Sequence, residues 1–209
     1  MERKKPTAGI ILAAGRSTRF GKSKQLEKLN GKPLVAWVIE AALGSRLASV
    51  VLVLGHDEQN ILAELGPKAF QPRLKVVANP EYRAGMSQSL RVGLNQVRRT
   101  LPSVMFLLGD QPLLTAATIN RLLENFWRSA RGICVPTHAG QRGNPVIFSR
   151  LFYKQLLNLT GDMGARTLIE SNPENVLQVE IEDPRCLLDV DTEEDLKQIQ
   201  VTYPGAFST

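Results

Sequence analysis

Short apolar runs recur along the chain, and most are continuous rather than alternating with polar residues. They fall at 9–13 (GIILA), 49–55 (SVVLVLG), 74–78 (LKVVA), 104–109 (VMFLLG), 133–136 (ICVP) and 145–148 (PVIF). Continuous runs of this length predict strands buried on both faces. Between them the spacing turns helical. Leu90, Leu94, Val97 and Leu101 repeat at i, i+4, i+7 and i+11, and Ile119, Leu122, Leu123 and Phe126 at i, i+3, i+4 and i+7. Pro33 suits the first turn of a helix through LVAWVIEAAL, and Thr192 followed by Glu193, Glu194 and Asp195 reads as a capped helix start. Trp37 and Trp127 lie on these helical patterns and read as core. Strand and helix therefore alternate over the first ~135 residues. That order predicts an α/β fold: a Rossmann-like, mostly parallel twisted sheet with helices on both faces, in three α/β/α layers.

The chain has 209 residues, 43% hydrophobic and 22% charged, enough for one well-buried domain spanning 1–209. No linker, low-complexity tract or solenoid repeat divides it. The apolar runs are too short to cross a bilayer, and the basic N-terminus leads into a first strand rather than a secretory h-region. A cytoplasmic protein without membrane contact is expected. Cys134 and Cys186 stand far apart with no CxxC pair, which disfavours a zinc site or a disulfide framework and reads as two buried reduced thiols. His56 and His138 have no partner at metal spacing. The net charge of +6 suits an anionic partner. The basic residues are scattered and lack interleaved aromatics, so nucleotide phosphates fit better than nucleic acid.

In doubly wound sheets ligands bind beyond the carboxyl ends of the strands, so the residues there carry the chemistry. The first strand runs into AAGRSTRFGKSK (13–24). A Walker A loop needs Gly, four residues, then Gly-Lys-Ser/Thr. Counting back from Gly21-Lys22-Ser23 puts Arg16 where that Gly must be, and QLEKLNGKPL reads as a short hairpin turning at Asn30-Gly31 rather than a long helix. The stretch still suits phosphates. Ala13, Ala14 and Gly15 permit close backbone approach, and Arg16, Arg19, Lys22 and Lys24 supply cations. After the third strand, Gly85-Met-Ser-Gln-Ser opens a helix, and Ser87 or Ser89 either caps it or contacts a base or ribose. After the fourth, Asp110 in LLGDQP projects a carboxylate into the crevice, a usual holder of Mg²⁺ beside a polyphosphate. Near the end, Asp189 and Asp191 in LLDVDTEEDL share one strand face by the period of two and offer a second metal-directed carboxylate.

Taken together, LAAGRSTRFGKSK, NPEYRAGMSQSLRVGL, GDQP, RGNPVIF, GDMGAR and DVDTEEDL resemble, in order and over roughly residues 8–200, the MobA/MocA-like nucleotidyltransferases that act on the molybdenum cofactor. Ala14, where the guanylyl branch carries a second Gly, together with GMSQSL and GDMGAR, resembles the molybdenum cofactor cytidylyltransferase branch. The resemblance implies a nucleotide-diphospho-sugar transferase-like fold, with a nucleotide-binding half over 8–112 and an acceptor-binding half over 113–200. It implies transfer of CMP from CTP to the terminal phosphate of molybdopterin, with release of pyrophosphate and with Mg²⁺ or Mn²⁺ as cofactor. Leu12, Ala13, Ala14 and Gly15 would cradle base and ribose. Arg19 and Lys24 would bind the triphosphate. Ser87 and Ser89, near Gly85, would help recognise cytosine. Asp110 would hold the metal, with Asp191 as second ligand and Asp189 as runner-up. Asn144, Asp162 and Arg166 would line the acceptor side. A client molybdoenzyme is a transient partner on this reading. The competing readings are a GTP-dependent enzyme of the same fold, a transferase to another phosphorylated acceptor, and a non-catalytic cofactor carrier. Arg19, Lys24, Asp110 and the DVD pair argue against the carrier, which needs no metal-triphosphate site.

Overall fold

Each of the continuous apolar runs forms a strand in a computed structural model of the chain, which describes residues 5–15, 17, 20–97, 101–162 and 164–203. The strands are β1 (Thr7–Ala13), β2 (Lys28–Leu29), β3 (Lys32–Pro33), β4 (Ser49–Leu54), β5 (Leu74–Ala78), β6 (Ser103–Leu108), β7 (Ile133–His138), β8 (Gln141–Arg142), β9 (Val146–Ser149) and β10 (Val176–Glu180). The helices are α1 (Leu34–Gly44), α2 (Glu58–Leu65), α3 (Met86–Gln96), α4 (Ala116–Arg128), α5 (Tyr153–Leu157), α6 (Arg166–Glu170) and α7 (Glu193–Thr202). The main sheet has the order β10-β7-β9-β6-β1-β4-β5, with β8 paired to β7. β1 is parallel to both β4 and β6, whereas β9 runs antiparallel between β6 and β7. The chain winds outward from β1 to β4 and β5, then crosses to β6 on the other side. The strand order reverses at β1, which opens a crevice at its carboxyl end.

Side-chain alternation along β1 divides the core into two layers. Ile11 and Ala13 pack with Val38, Ile39, Ile61, Leu122 and Phe126 of α1, α2 and α4. Ala8 and Ile10 point to the opposite face, against Leu90, Leu94, Leu156 and Leu168 of α3, α5 and α6. A third, smaller cluster joins Phe20, Leu29 and Leu34 to Leu113, Val190, Leu196 and Ile199. It ties α7 to the β2–β3 hairpin, which turns at Asn30-Gly31 as its sequence predicts. Cys134 and Cys186 are both buried and free, and burial pushes the Cys134 thiol up to about 12.

Several local expectations shift. α3 ends at Gln96, because the β-branched Val97 takes up extended backbone at ψ 134°; Val97 and Leu101 still pack on the same cluster as Leu90. Pro33 lies one residue ahead of α1, not in its first turn. Asp189 and Asp191 do not sit on a strand. Their segment is irregular and is held by a bond from the Val190 amide to the Asp110 carbonyl. The sequence reading had no place for α2, β8 or β10. β10 is an edge strand with Val179 as its one buried residue, too little apolar signal to stand out.

Gly93 sets how closely α3 approaches the sheet. A Cβ there would lie 2.4 Å from Ile10 Cγ2 and 3.0 Å from Val53 Cγ2. Gly93→Ala is therefore expected to destabilise the fold by about 1–3 kcal/mol, read as a lower midpoint in urea denaturation.

Candidate active site

The crevice at the end of β1 holds a cleft of about 430 Å³. Leu12, Ala14 and Gly15 form one wall, Leu108 and Asp110 leave β6 beside them, and Tyr82, Arg83, Gly85, Met86 and Ser89 form the opposite wall. Ser17, Lys24, Gln25 and Asp162 complete the lining. The small residues after β1 are short enough to leave this space open.

One end of the cleft is charged. Lys24 lies in a short turn after the first loop, and its side chain is only 9% exposed. Its Nζ donates to Asp110 Oδ2 at 2.7 Å and to Asp191 Oδ1 at 2.9 Å. Burial disfavours the ammonium, but the Asp110 and Asp191 carboxylates outweigh it and raise the Lys24 pKa. The start of α7 fixes Asp191: Thr192 and Asp195 form a reciprocal capping box, and Asp195 Oδ2 also accepts from the Asp191 amide at 2.9 Å. Asp189 stands close by. Its carboxyl is pushed up to about 6 by desolvation and then by the like charges of Asp110 and Asp191, against a hydrogen bond from Gln111.

Asp110 Oδ1 is buried without a hydrogen-bond partner among the described residues, while Oδ2 and an Asp191 oxygen converge on one point now held by Lys24. Two carboxylates alone are a sparse donor set, and the described residues contain no group of three or more His, Cys, Asp or Glu able to hold a metal. The pair fits a hard divalent cation that takes its remaining oxygens from water and from a bound phosphate.

The other end is lined by the Tyr82 ring, Gly85, Met86 and Ser89, with the charged side chains of Arg83 and Asp162 beside them. Gly85 sits at φ 101°, and a Cβ there would meet Asp162 and Gly161 at 2.7 Å. The Met86 amide donates to Asp162 Oδ1 at 3.2 Å and the Ser87 amide to the Gly161 carbonyl at 3.1 Å, so the 161–162 loop seats the start of α3. Neither serine caps that helix, whose cap is Gly85. Ser89 faces the cleft and accepts from Asn79 Nδ2 at 3.0 Å. Ser87 is almost wholly buried and does not line the cleft.

A second cavity of about 270 Å³ adjoins the first and shares Leu12, Met86 and Leu108 with it. Its floor is apolar, from Leu90, Phe106, Val146, Phe148 and Ile169; Arg142, Asn144 and Arg166 line it with them. Glu170 pairs with Arg166 at 2.8 Å and with Arg142 at 3.6 Å.

Leu12, Ala14, Gly15, Lys24, Gly85, Ser89 and Asp110 thus share one cleft, with Asp191 joined to it through Lys24. Ala13 is buried in the core behind the cleft wall. Asn144 and Arg166 meet in the second cavity, while Asp162 sits at the first. Arg19 lies outside the described residues. Lys22 pairs on the surface with Glu27 at 2.9 Å and Glu193 at 3.4 Å, which agrees with the failed Walker spacing. Sequence reasoning missed Tyr82, Gln25 and Arg142. Tyr82 and Arg142 lie inside stretches that were already singled out, NPEYRAG and RGNPV.

Residues 9–176 match the family described as MobA-like NTP transferase domain. The purine catabolism protein PucB of Bacillus subtilis is 29% identical over 198 residues, covering 92% of this chain and 95% of that protein. A probable molybdenum cofactor guanylyltransferase of Thermococcus sibiricus is 29% identical over 61% of this chain and 60% of its own length. The bifunctional protein GlmU of Agrobacterium fabrum is 35% identical over 55% of this chain, and the match spans only 25% of that longer protein. Among solved structures, Rv0371c of Mycobacterium tuberculosis in complex with manganese superposes with a TM-score of 0.79 at 29% identity, covering 93% of this chain and 97% of that one.

Proposed function

The chain belongs to the MobA-like NTP transferase family and is a nucleotidyltransferase, and from that premise we propose that it transfers CMP from CTP to the terminal phosphate of the molybdenum cofactor. The observation that carries the reading is the pair of joined cavities. One has a buried lysine and two carboxylates at one end, and the other has an apolar floor flanked by arginines. A nucleoside triphosphate fits the first with its phosphates toward Lys24. A phosphate-bearing heterocycle that lays one face on the apolar floor and turns its polar edge to Arg142, Asn144 and Arg166 fits the second. Because the cavities share a wall, the acceptor phosphate meets the α-phosphate where they join.

Lys24, with Arg19 beside it in sequence, binds the triphosphate on this reading. Asp110 and Asp191 hold a divalent cation, Mg²⁺ or Mn²⁺, and Asp189 remains the alternative second ligand. The cation neutralises charge on the phosphates when bound. Leu12 to Gly15 hold the ribose and base by backbone, and Asn144 and Arg166 orient the acceptor. Asp162, by its place under Gly85 and Met86, shapes the wall between the two cavities. The attacking phosphate is already an anion, so the chain needs no strong general base. Alignment of two anions and neutralisation of the leaving pyrophosphate supply the rate.

Protein incubated with CTP, Mg²⁺ and molybdenum cofactor is expected to release pyrophosphate and form the cytosine dinucleotide. Equal or faster turnover with GTP overturns the base assignment. The guanylyltransferase relative keeps GTP as the second reading.

A further inference from the structure

We infer that Asn79 is a positioning residue that fixes Ser89 as a hydrogen-bond donor toward the nucleobase. The inference rests on the reading of the first cleft as a nucleoside triphosphate site, and it assigns to that site a residue outside the cleft lining.

Asn79 follows β5 directly and is fully buried. Its backbone amide donates to the Leu54 carbonyl at 2.6 Å, which holds it to the end of β4. A buried amide side chain must place both its carbonyl and its NH₂ group, and here the network settles which is which. The Glu81 backbone N–H needs an acceptor and finds Asn79 Oδ1 at 3.1 Å. The NH₂ group is therefore the half that faces Ser89, with Nδ2 3.0 Å from Oγ.

The consequence lies in the Ser89 hydroxyl. A serine hydroxyl has one hydrogen to give and two lone pairs to receive. Asn79 fills one lone pair, and no acceptor for the Ser89 hydrogen is present among the described residues. Ser89 lines the cleft, so that hydrogen is available to a ligand. Lys24 and Asp110 mark the phosphate end, and the base then lies toward Tyr82 and Ser89. A fixed donor there favours a base that offers an acceptor. Cytosine presents O2 and N3 along its pairing edge, whereas guanine presents N1–H and its exocyclic amine at the equivalent positions. Donor facing donor leaves both groups desolvated and unpaired.

Titration calorimetry with CTP and with GTP tests this on the full chain. Ser89→Ala is expected to raise the Kd for CTP about five- to tenfold and to change that for GTP far less. Ser89→Thr, which restores the hydroxyl, recovers most of the loss. Asn79→Asp turns the polarity round, because a carboxylate accepts from both Glu81 N–H and Ser89 O–H, and it weakens CTP at least as much. Introduced into Ser89→Ala, the same change adds nothing to the loss, since Asn79 acts only through the hydroxyl. The inference is overturned if Ser89→Ala binds CTP like the wild type, if it weakens both nucleotides equally, or if the two substitutions add. Should Asn79→Asp fail to fold, Asn79→Ser takes its place: its shorter side chain no longer reaches the Ser89 hydroxyl, and it is expected to weaken CTP when Ser89 is present and to add nothing to Ser89→Ala. Wild-type protein that binds neither nucleotide refutes the cleft reading itself, a result distinct from each of these.

Discussion

Lys24→Ala is expected to lower kcat/KM for nucleotidyl transfer by about a hundredfold or more, measured as pyrophosphate release under saturating Mg²⁺. The size follows from where the ammonium sits. It is the buried cation of the cleft wall, held between Asp110 and Asp191 at 2.7 and 2.9 Å. Phosphates entering that end meet two carboxylates, and without Lys24 the repulsion is uncompensated. The same geometry predicts an opposite effect on metal binding. Lys24 occupies the point on which the two carboxylates converge, so it competes with a free divalent cation and yields when a triphosphate offers it other anions. Lys24→Met, which keeps the stem and removes the charge, is expected to bind Mn²⁺ without nucleotide more tightly than the wild type does, measured by electron paramagnetic resonance. Loss of activity together with unchanged Mn²⁺ affinity would remove the competition from the account. Activity within about threefold of wild type would remove Lys24 from phosphate binding.

The parts of this site that were legible in the sequence are those fixed by local rules. A continuous apolar run followed at once by small residues places Ala14 and Gly15 at a strand end, and the same rule places Asp110 after β6. The Walker comparison is a matter of counting, and the surface pairing of Lys22 agrees with it. What was not legible depends on contacts across long stretches of chain. Lys24 and Asp191 are far apart in sequence and meet because Val190 and α7 pack against the β2–β3 hairpin. Period-two spacing grouped Asp189 with Asp191 as equals. In the fold the capping box turns Asp191 to Lys24, while Asp189 stands beside Gln111. Asp162 sits in a glycine-flanked loop with no periodicity, and only its bond to the Met86 amide shows that it supports the wall carrying Ser89. Asn79 is equally silent in sequence, since a fully buried asparagine and an exposed turn asparagine are the same letter.

The second large effect is expected at Asp110. Asp110→Asn keeps the shape of the side chain but gives up its charge, and transfer activity should fall about a hundredfold or more. Asp110 Oδ2 meets Lys24, while Oδ1 is buried with no partner among the described residues. A buried carboxylate oxygen left without a donor is unfavourable in the resting protein, and a cation that completes it gains what the resting state lacks. The amide cannot do this, because one of its two positions now carries hydrogens that face a metal or Lys24. The fold should survive. The Asp110 carbonyl still accepts from the Val190 amide, and Lys24 keeps Asp191. Asp191→Asn separates the two roles further. Its side chain is 51% exposed against 21% for Asp110, so water replaces part of what it gives. Its loss is expected to be smaller, and part of it should be recovered by raising Mn²⁺, whereas Asp110→Asn should resist such rescue. The comparison is made by titrating each variant with Mn²⁺ at fixed CTP and following pyrophosphate. If Asp110→Asn retains activity within about threefold of wild type, the metal is not held at this strand end.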